Sequence, residues 1–443
     1  MAKQKIIWLI IILSLSLPAY IWTGYETART AFGQLLILYI FLSGIYLLAI
    51  YRKTFDVGLP VFLGAALILR LSLMFMVPNL TDDYFRYVWD GLLFNHGYNP
   101  YLILPSQFIH SSQMVHGITA ALYERLNSPD YLTVYPPLCQ FLFGLGTIFF
   151  NGDILINVIV IRLVIIFAEL GTIILLYKLA TKFNVSPALV AIYAFNPLVI
   201  IELTGNIHPE AIMLFFLVLA VYLLVYKRYS FAAVSFGLAV SVKLLPLIFL
   251  PLLIKRLGLF KSVVFYIIVL SIFIALFIPF LTADLITHYF SALSLYFQKF
   301  EFNASIYYLL RWVGYQVTGY NTITVLGIIL AIATFLTIIA IAFREKVVNW
   351  QSIFRSMLMC GTVYFLLATT VHPWYITSLV LLSVFTRFRY PVAWSILIIL
   401  SYATYLTVPY SENLWLVGVE YIVLGGWIVF ELFKKNGYKS ISN

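Results

Sequence analysis

Thr81-Asp82-Asp83-Tyr84-Phe85-Arg86-Tyr87-Val88-Trp89-Asp90-Gly91 sets three carboxylates and an arginine inside a chain that is otherwise almost pure hydrocarbon. The 443 residues are 63% hydrophobic and only 10% charged, a composition foreign to soluble domains. On both sides of the quoted stretch, apolar runs of about 20 residues recur, each long enough to cross roughly 30 Å of hydrocarbon. The expected fold is therefore all-α, a polytopic membrane protein in which this stretch is a polar interruption. Ionisable residues are costly near a bilayer and rare there without a function, so the chemistry is sought here first.

The apolar runs predict about twelve transmembrane helices, near 6–23, 32–51, 57–77, 155–177, 187–203, 209–226, 262–281, 322–343, 352–370, 374–386, 391–409 and 414–433. Two more apolar stretches, 135–150 and 231–254, read as re-entrant segments that return to their own side. Pro136-Pro137 and Lys243 with Pro246 interrupt them, and non-helical backbone at depth is tolerated where it lines a cavity. The first run follows Lys3 and Lys5 without a clear small-residue cleavage site, so it reads as a retained span rather than a signal peptide. Residues 1–443 are expected to form one integral membrane domain with no separate soluble domain.

The net charge of +10 does not imply nucleic acid, because in a polytopic protein the cations gather in cytoplasmic loops. With the N-terminus placed inside, 18 of the 27 cations fall on the cytoplasmic side, and only Arg29, Arg86, Arg125, Lys299 and Arg311 outside. The expected location is the cell membrane, multi-pass, with both termini cytoplasmic. The odd polar features then share the extracytoplasmic face: the acidic stretch, Asn206-Ile207-His208-Pro209-Glu210, the loop around Asp284, and His372-Pro373-Trp374-Tyr375. Cys139 and Cys360 lie in apolar segments and form neither a metal spacing nor a disulfide framework. No metal site is predicted. A divalent cation shared by Asp82, Asp83 and His208 is the arrangement weighed, but hard cations need several oxygens, so no cofactor is assigned.

The loop Pro78–Tyr135 is the longest, and long ordered loops are usually functional. Thr81 is an N-cap candidate with Asp82 and Asp83 in the first helical turn. Asp83, Arg86, Tyr87 and Asp90 follow at i, i+3, i+4 and i+7 on one helix face, while Asp82 projects about 100° away. Gly97-Tyr98-Asn99-Pro100-Tyr101 ends the helix. Carboxylates suit glycosyl transfer, in which an acid takes the proton of an acceptor hydroxyl attacking an anomeric carbon and the leaving group is met by cations or donors. Lys243, beside Pro246 in an apolar segment, must be paired, neutral or bound to an anion; donor phosphate is the expected anion. Arg86 reaches phosphate or pairs with Asp82 or Asp90. His208 and Glu210 stand at a helix start, which favours anions. His372, Trp374 and Tyr375 suit a sugar face, or belong to the interfacial aromatic belt. Arg162 and Glu169, seven apart, read as a brace between helices.

The acidic stretch with Gly97-Tyr98-Asn99-Pro100-Tyr101 resembles the first extracytoplasmic loop of GT-C glycosyltransferases, especially bacterial mannosyltransferase-like members that use polyprenyl-phosphate sugars. Tyr135-Pro136-Pro137-Leu138 is similar to the segment closing that loop. Asn196-Pro197-Leu198 followed by Gly205 to Glu210 resembles the family's later loop. Lys243-Leu244-Leu245-Pro246 resembles its lysine–proline element, and His372-Pro373-Trp374-Tyr375 its late aromatic loop. The resemblance implies a multi-span transferase that takes a sugar, mannose first, from a polyprenyl-phosphate donor and inverts at the anomeric carbon. Asp83, or its neighbour Asp82, would be the base. Arg86, Tyr87, Asp90, Tyr135, His208, Glu210, Lys243, His372, Trp374 and Tyr375 would bind substrates. The acceptor would be a glycolipid, glycan or protein. Glu210 departs from the family, where aspartate is usual two positions after the histidine. A transporter or lipid flippase is the competing class and predicts inverted repeats with paired broken helices; the sequence shows no obvious repeat. A glycan polymerase or ligase is a third reading.

Overall fold

The computed structural model describes residues 2–149 and 152–434, and their regular elements are all helices. Among them six helices are long and apolar enough to cross a bilayer: Lys3–Tyr25, Phe32–Tyr51, Ile154–Lys182, Leu259–Phe280, Ile323–Arg344 and Leu414–Phe433. A bent pair, Pro187–Ala194 with Val199–Gly205, turns by 61° at its break. Shorter apolar helices at Leu59–Leu71, Glu210–Val225, Ser352–Leu367, Pro373–Ser383 and Tyr390–Leu406 occupy the remaining expected spans. The protein is thus a multi-pass helical membrane protein.

The departures from straight spans have local causes. Proline disfavours the α conformation in the residue before it, and Asn196-Pro197 falls where the 187–203 span bends. Asn196 Oδ1 accepts the N–H of Leu198 at 3.0 Å and starts the second half. That half winds with the wider π turn, a form that recurs at functional sites.

Buried charges lock the helix ends together. Arg70 forks onto Glu169 at 2.9 and 3.0 Å, both fully buried. Arg162 donates to four carbonyls, those of Met74 and Met76 at 2.7 Å, Thr204 at 2.9 Å and Gly205 at 2.8 Å. Those carbonyls belong to chain emerging from two helix ends, where backbone acceptors lack intrahelical donors. The brace expected of Arg162 and Glu169 is therefore formed, to different partners.

The interrupted segment 231–254 doubles back. Tyr229–Val242 runs antiparallel to Glu210–Val225, because Lys243, just past the end of the first, pairs with Glu210, the first residue of the second. The chain turns there and descends through Leu245–Leu253 and Ile254–Leu257. At the bottom Arg256 forks onto Glu345, and Lys261 lies 5.3 Å from the ring of Tyr229, where the ascent began. Lys243 is thus the apex of a hairpin whose two ends meet. Pro137–Thr147 starts beside that apex, with the Cys139 thiol donating to Val242 O at 3.2 Å. It ends against the first turns of Ile154–Lys182, where Gly146 packs on Asn157 and Ile161. The helix carrying the acidic stretch, Asp83–Asn95, lies along it.

Candidate active site

The acidic helix begins at Asp83. Thr81 Oγ1 accepts the Asp83 N–H at 3.2 Å, which ties down one of the orphan donors of the first turn. The turn of about 100° per residue then sends the two acids apart. Asp82 pairs with Arg29, in the loop between the first two helices. Asp83 turns inward, where Oδ1 accepts a hydrogen bond from Asn127 Nδ2 at 2.8 Å and the carboxylate lies in the field of His208 and Glu210. Burial pushes its pKa up, against the pull of His208 and the Asn127 bond. A carboxylate raised in this way is a stronger proton acceptor once ionised.

Three other segments supply the groups around Asp83. His208 and Glu210 stand at the start of Glu210–Val225, Lys243 at the hairpin apex, and His372, Trp374 and Tyr375 at the start of Pro373–Ser383. Lys243 pairs with Glu210 and lies 3.8 Å from the centroid of the Tyr375 ring, a cation–π contact. Four rings form a continuous stack. His208 lies on Trp374 at 3.8 Å and 17°, Trp374 on His372 at 4.4 Å and 4°, and His372 on Phe302 at 4.8 Å and 27°. His208 Nε2 is 3.5 Å from Glu202 Oε2, and Glu202 is itself held by Asn206 at 3.0 Å and by the Tyr402 hydroxyl at 2.6 Å. Neither His208 Nε2 nor His372 Nδ1 has a hydrogen-bond partner among the described residues. Buried polar nitrogens of that kind call for a partner, and both belong to the stack beside Asp83. Burial, with Lys243 and His208 nearby, pushes His372 down to about 3, so its ring is neutral at physiological pH. Tyr87 and Tyr135 meet edge to face at 5.2 Å and wall the other side.

Asp83, Tyr87, Tyr135, His208, Glu210, Lys243, His372, Trp374 and Tyr375 are therefore brought into one region. Arg86 and Asp90 are engaged otherwise. Arg86 Nε pairs with Asp90 at 2.7 Å, and Nη1 donates to the carbonyls of Ser128 at 3.3 Å and Tyr131 at 2.9 Å. Of the partners read for Arg86 from sequence, Asp90 is the one it meets. Together they hold the long loop over the acidic helix. Asn127, Phe302, Glu202 and Arg29 touch this region without having been picked out from sequence. Asn127 lies in a loop without a motif, and Phe302 reaches His372 through the parallel bridge of Phe302 with Thr370. Among the described residues no group of three or more His, Cys, Asp or Glu is set to hold a metal ion.

What the region can do is accept a proton at Asp83, meet an anion at Lys243 and wall a substrate with aromatic side chains. No curated protein matches the chain. A family described as alpha-(1->6)-mannopyranosyltransferase, N-terminal domain, matches residues 15–257. The match takes in Asp83, His208, Glu210 and Lys243, whereas His372, Trp374 and Tyr375 lie beyond it. With more than half of its length so matched, this multi-pass helical chain belongs to the alpha-(1->6)-mannopyranosyltransferase family, a GT-C family of mannosyltransferases.

Proposed function

We propose that this membrane mannosyltransferase takes mannose from a polyprenyl-phosphate donor and passes it to an acceptor hydroxyl on the extracytoplasmic face, with Asp83 as general base. The observation that carries this reading is the meeting of an inward carboxylate, a lysine and an aromatic stack from four separate segments. The acceptor oxygen forms a bond to the anomeric carbon while the bond from that carbon to the phosphate oxygen breaks. The electron pair stays on the phosphate, which leaves as polyprenyl phosphate without protonation, and the acceptor proton passes to Asp83. Lys243 stands ready to exchange Glu210 for the phosphate and meet the growing negative charge. His372, neutral, offers a hydrogen bond rather than a charge. The rings of His208, Trp374 and His372 cover one another's faces, so a pyranose would lie along the edge of the stack. The loop from Pro78 to Tyr135 would be the first large extracytoplasmic loop. Displacement with inversion, combined with the α-linked product in the family's name, requires a β-linked donor.

The test is transfer from radiolabelled β-linked polyprenyl-phosphate mannose by the purified protein. Wild type should transfer, and Asp83→Asn should lose at least about 10²-fold in rate, the usual contribution of general base catalysis. Transfer by wild type from a nucleotide sugar alone would reject the lipid donor, and an unimpaired Asp83→Asn would reject the base.

A further inference from the structure

Arg29 lies far from the acidic stretch in sequence, yet it is built into the site's edge. Its guanidinium pairs with Asp82. It also sits between two tyrosines of the C-terminal third, 4.8 Å from the ring centroid of Tyr405 and 5.2 Å from that of Tyr410, and Nη2 donates to the Tyr410 hydroxyl at 2.7 Å. Two rings and a hydroxyl fix the guanidinium plane, so Asp82 has a partner that cannot swing away. This matters because Asp82 and Asp83 are adjacent, and two adjacent carboxylates suppress each other's ionisation.

We propose that Arg29 is a positioning residue for sugar transfer: held by Tyr405 and Tyr410, it neutralises Asp82 and keeps it turned out of the site, leaving Asp83 as the working carboxylate. The proposal rests on the reading of Asp83 as the base. It also gives the segment 398–410, beyond the family match, a part in the reaction. Asp83 is faced by Asp82 just before its helix, by Tyr87 from that helix, by Asn127 and Tyr135 from the long loop, by His208 and Glu210 from the later loop, and by Tyr405. Among these, Asp82 is the acidic neighbour whose charge is set by Arg29 alone of the cations it pairs with among the described residues.

Arg29→Gln leaves Asp82 uncompensated beside Asp83 and raises the pKa of the base. The acidic limb of the kcat/KM profile then moves to higher pH, by about 1 for a partly exposed neighbour. Asp82→Asn leaves Arg29 uncompensated, and the limb moves to lower pH. The double variant Arg29→Gln with Asp82→Asn removes both charges and returns the limb to the wild-type position. The measurement is the pH profile of transfer from radiolabelled polyprenyl-phosphate mannose, run for the three variants on the purified full chain. Opposite single shifts that cancel in the double variant support the proposal. Variants that lose rate with unmoved limbs show that Arg29 only holds the helix in place, and overturn it. If Arg29→Gln does not fold, the downward shift of Asp82→Asn still decides, since an unmoved limb there rejects the coupling. If Asp83→Asn transfers normally, the base reading itself has failed; a dead Asp83→Asn with unmoved limbs in the others sinks the role of Arg29 alone.

Discussion

Asp83 and Asp82 differ by one position and by everything around them. One is tied to an arginine at the rim, and the other is half-buried against His208, Glu210 and Asn127. This division was legible in the sequence, because a helix turns about 100° per residue and only Asp83 shares a face with Arg86, Tyr87 and Asp90. The partners that enforce it were not. Arg29 and Asn127 are 53 and 44 residues from the acids they bind, and no periodicity links such distances. The raised pKa of Asp83 has two measurable consequences. As the proposed base it would work only when ionised, so kcat/KM should fall as pH drops through a value above the ordinary carboxylate range of about 4. For stability the sign is opposite. A carboxylate whose folded pKa is raised binds its proton more tightly when folded, so its contribution favours folding at low pH and is lost as pH rises through that value. Asp83→Asn should therefore raise Tm at pH 7 while abolishing transfer, and the gain should vanish towards pH 4. A lower Tm at pH 7 would mean that the carboxylate's hydrogen bond outweighs its burial.

At the scale of elements, the site depends on helix contacts that leave no room. The acidic helix crosses Pro137–Thr147 at Gly91, where an added Cβ would come within 2.6 Å of the Phe143 carbonyl carbon. That neighbour is backbone and cannot rotate aside. Gly91→Ala must push the two helices apart, at a cost of roughly 1–3 kcal/mol. Because Tyr87 stacks on Phe143 at 4.4 Å one turn before Gly91, the same shift reaches the site. Transfer should fall together with Tm, whereas Gly97→Ala, at a positive-φ turn with open space around it, should lower Tm without touching the packing of Tyr87. Equal losses of transfer in both variants would show that the contact at Gly91 has no special hold on the site. The hairpin at 231–254 was legible for a related reason. A lysine and a proline interrupt an apolar run, and the chain places that lysine at the apex, paired with Glu210. The bend within 187–203 was readable only in hindsight from Asn196-Pro197, because hydropathy averages over a break that two residues make.

For the whole molecule, hydropathy found where the chain is apolar but not how long each helix runs. The expected span at 57–77 stops as a helix at Leu71, and the one at 391–409 tightens to a 3-10 helix from Ile398. Chain leaving the ends of Leu59–Leu71 and Val199–Gly205 has its carbonyls taken by Arg162, a solution no local pattern announces. The two ends of the bundle also differ in chemistry. One carries the aromatic and acidic groups around Asp83. The other carries Arg256 with Glu345, and Lys255 donating to Phe343 O at 2.7 Å. If cations mark the cytoplasmic side, the site faces outward, and the two cysteines make this directly measurable because both are buried. Met114, 94% exposed in the long loop, and Val347, 57% exposed beside Glu345, give reporters at opposite ends. In intact cells an impermeant thiol reagent should label Met114→Cys and spare Val347→Cys, and permeabilisation should expose the second. Wild type, with its thiols out of reach, sets the background. The opposite labelling pattern would invert the molecule and put Asp83 on the cytoplasmic side, where nucleotide sugars are made and the case for a lipid-linked donor would lapse.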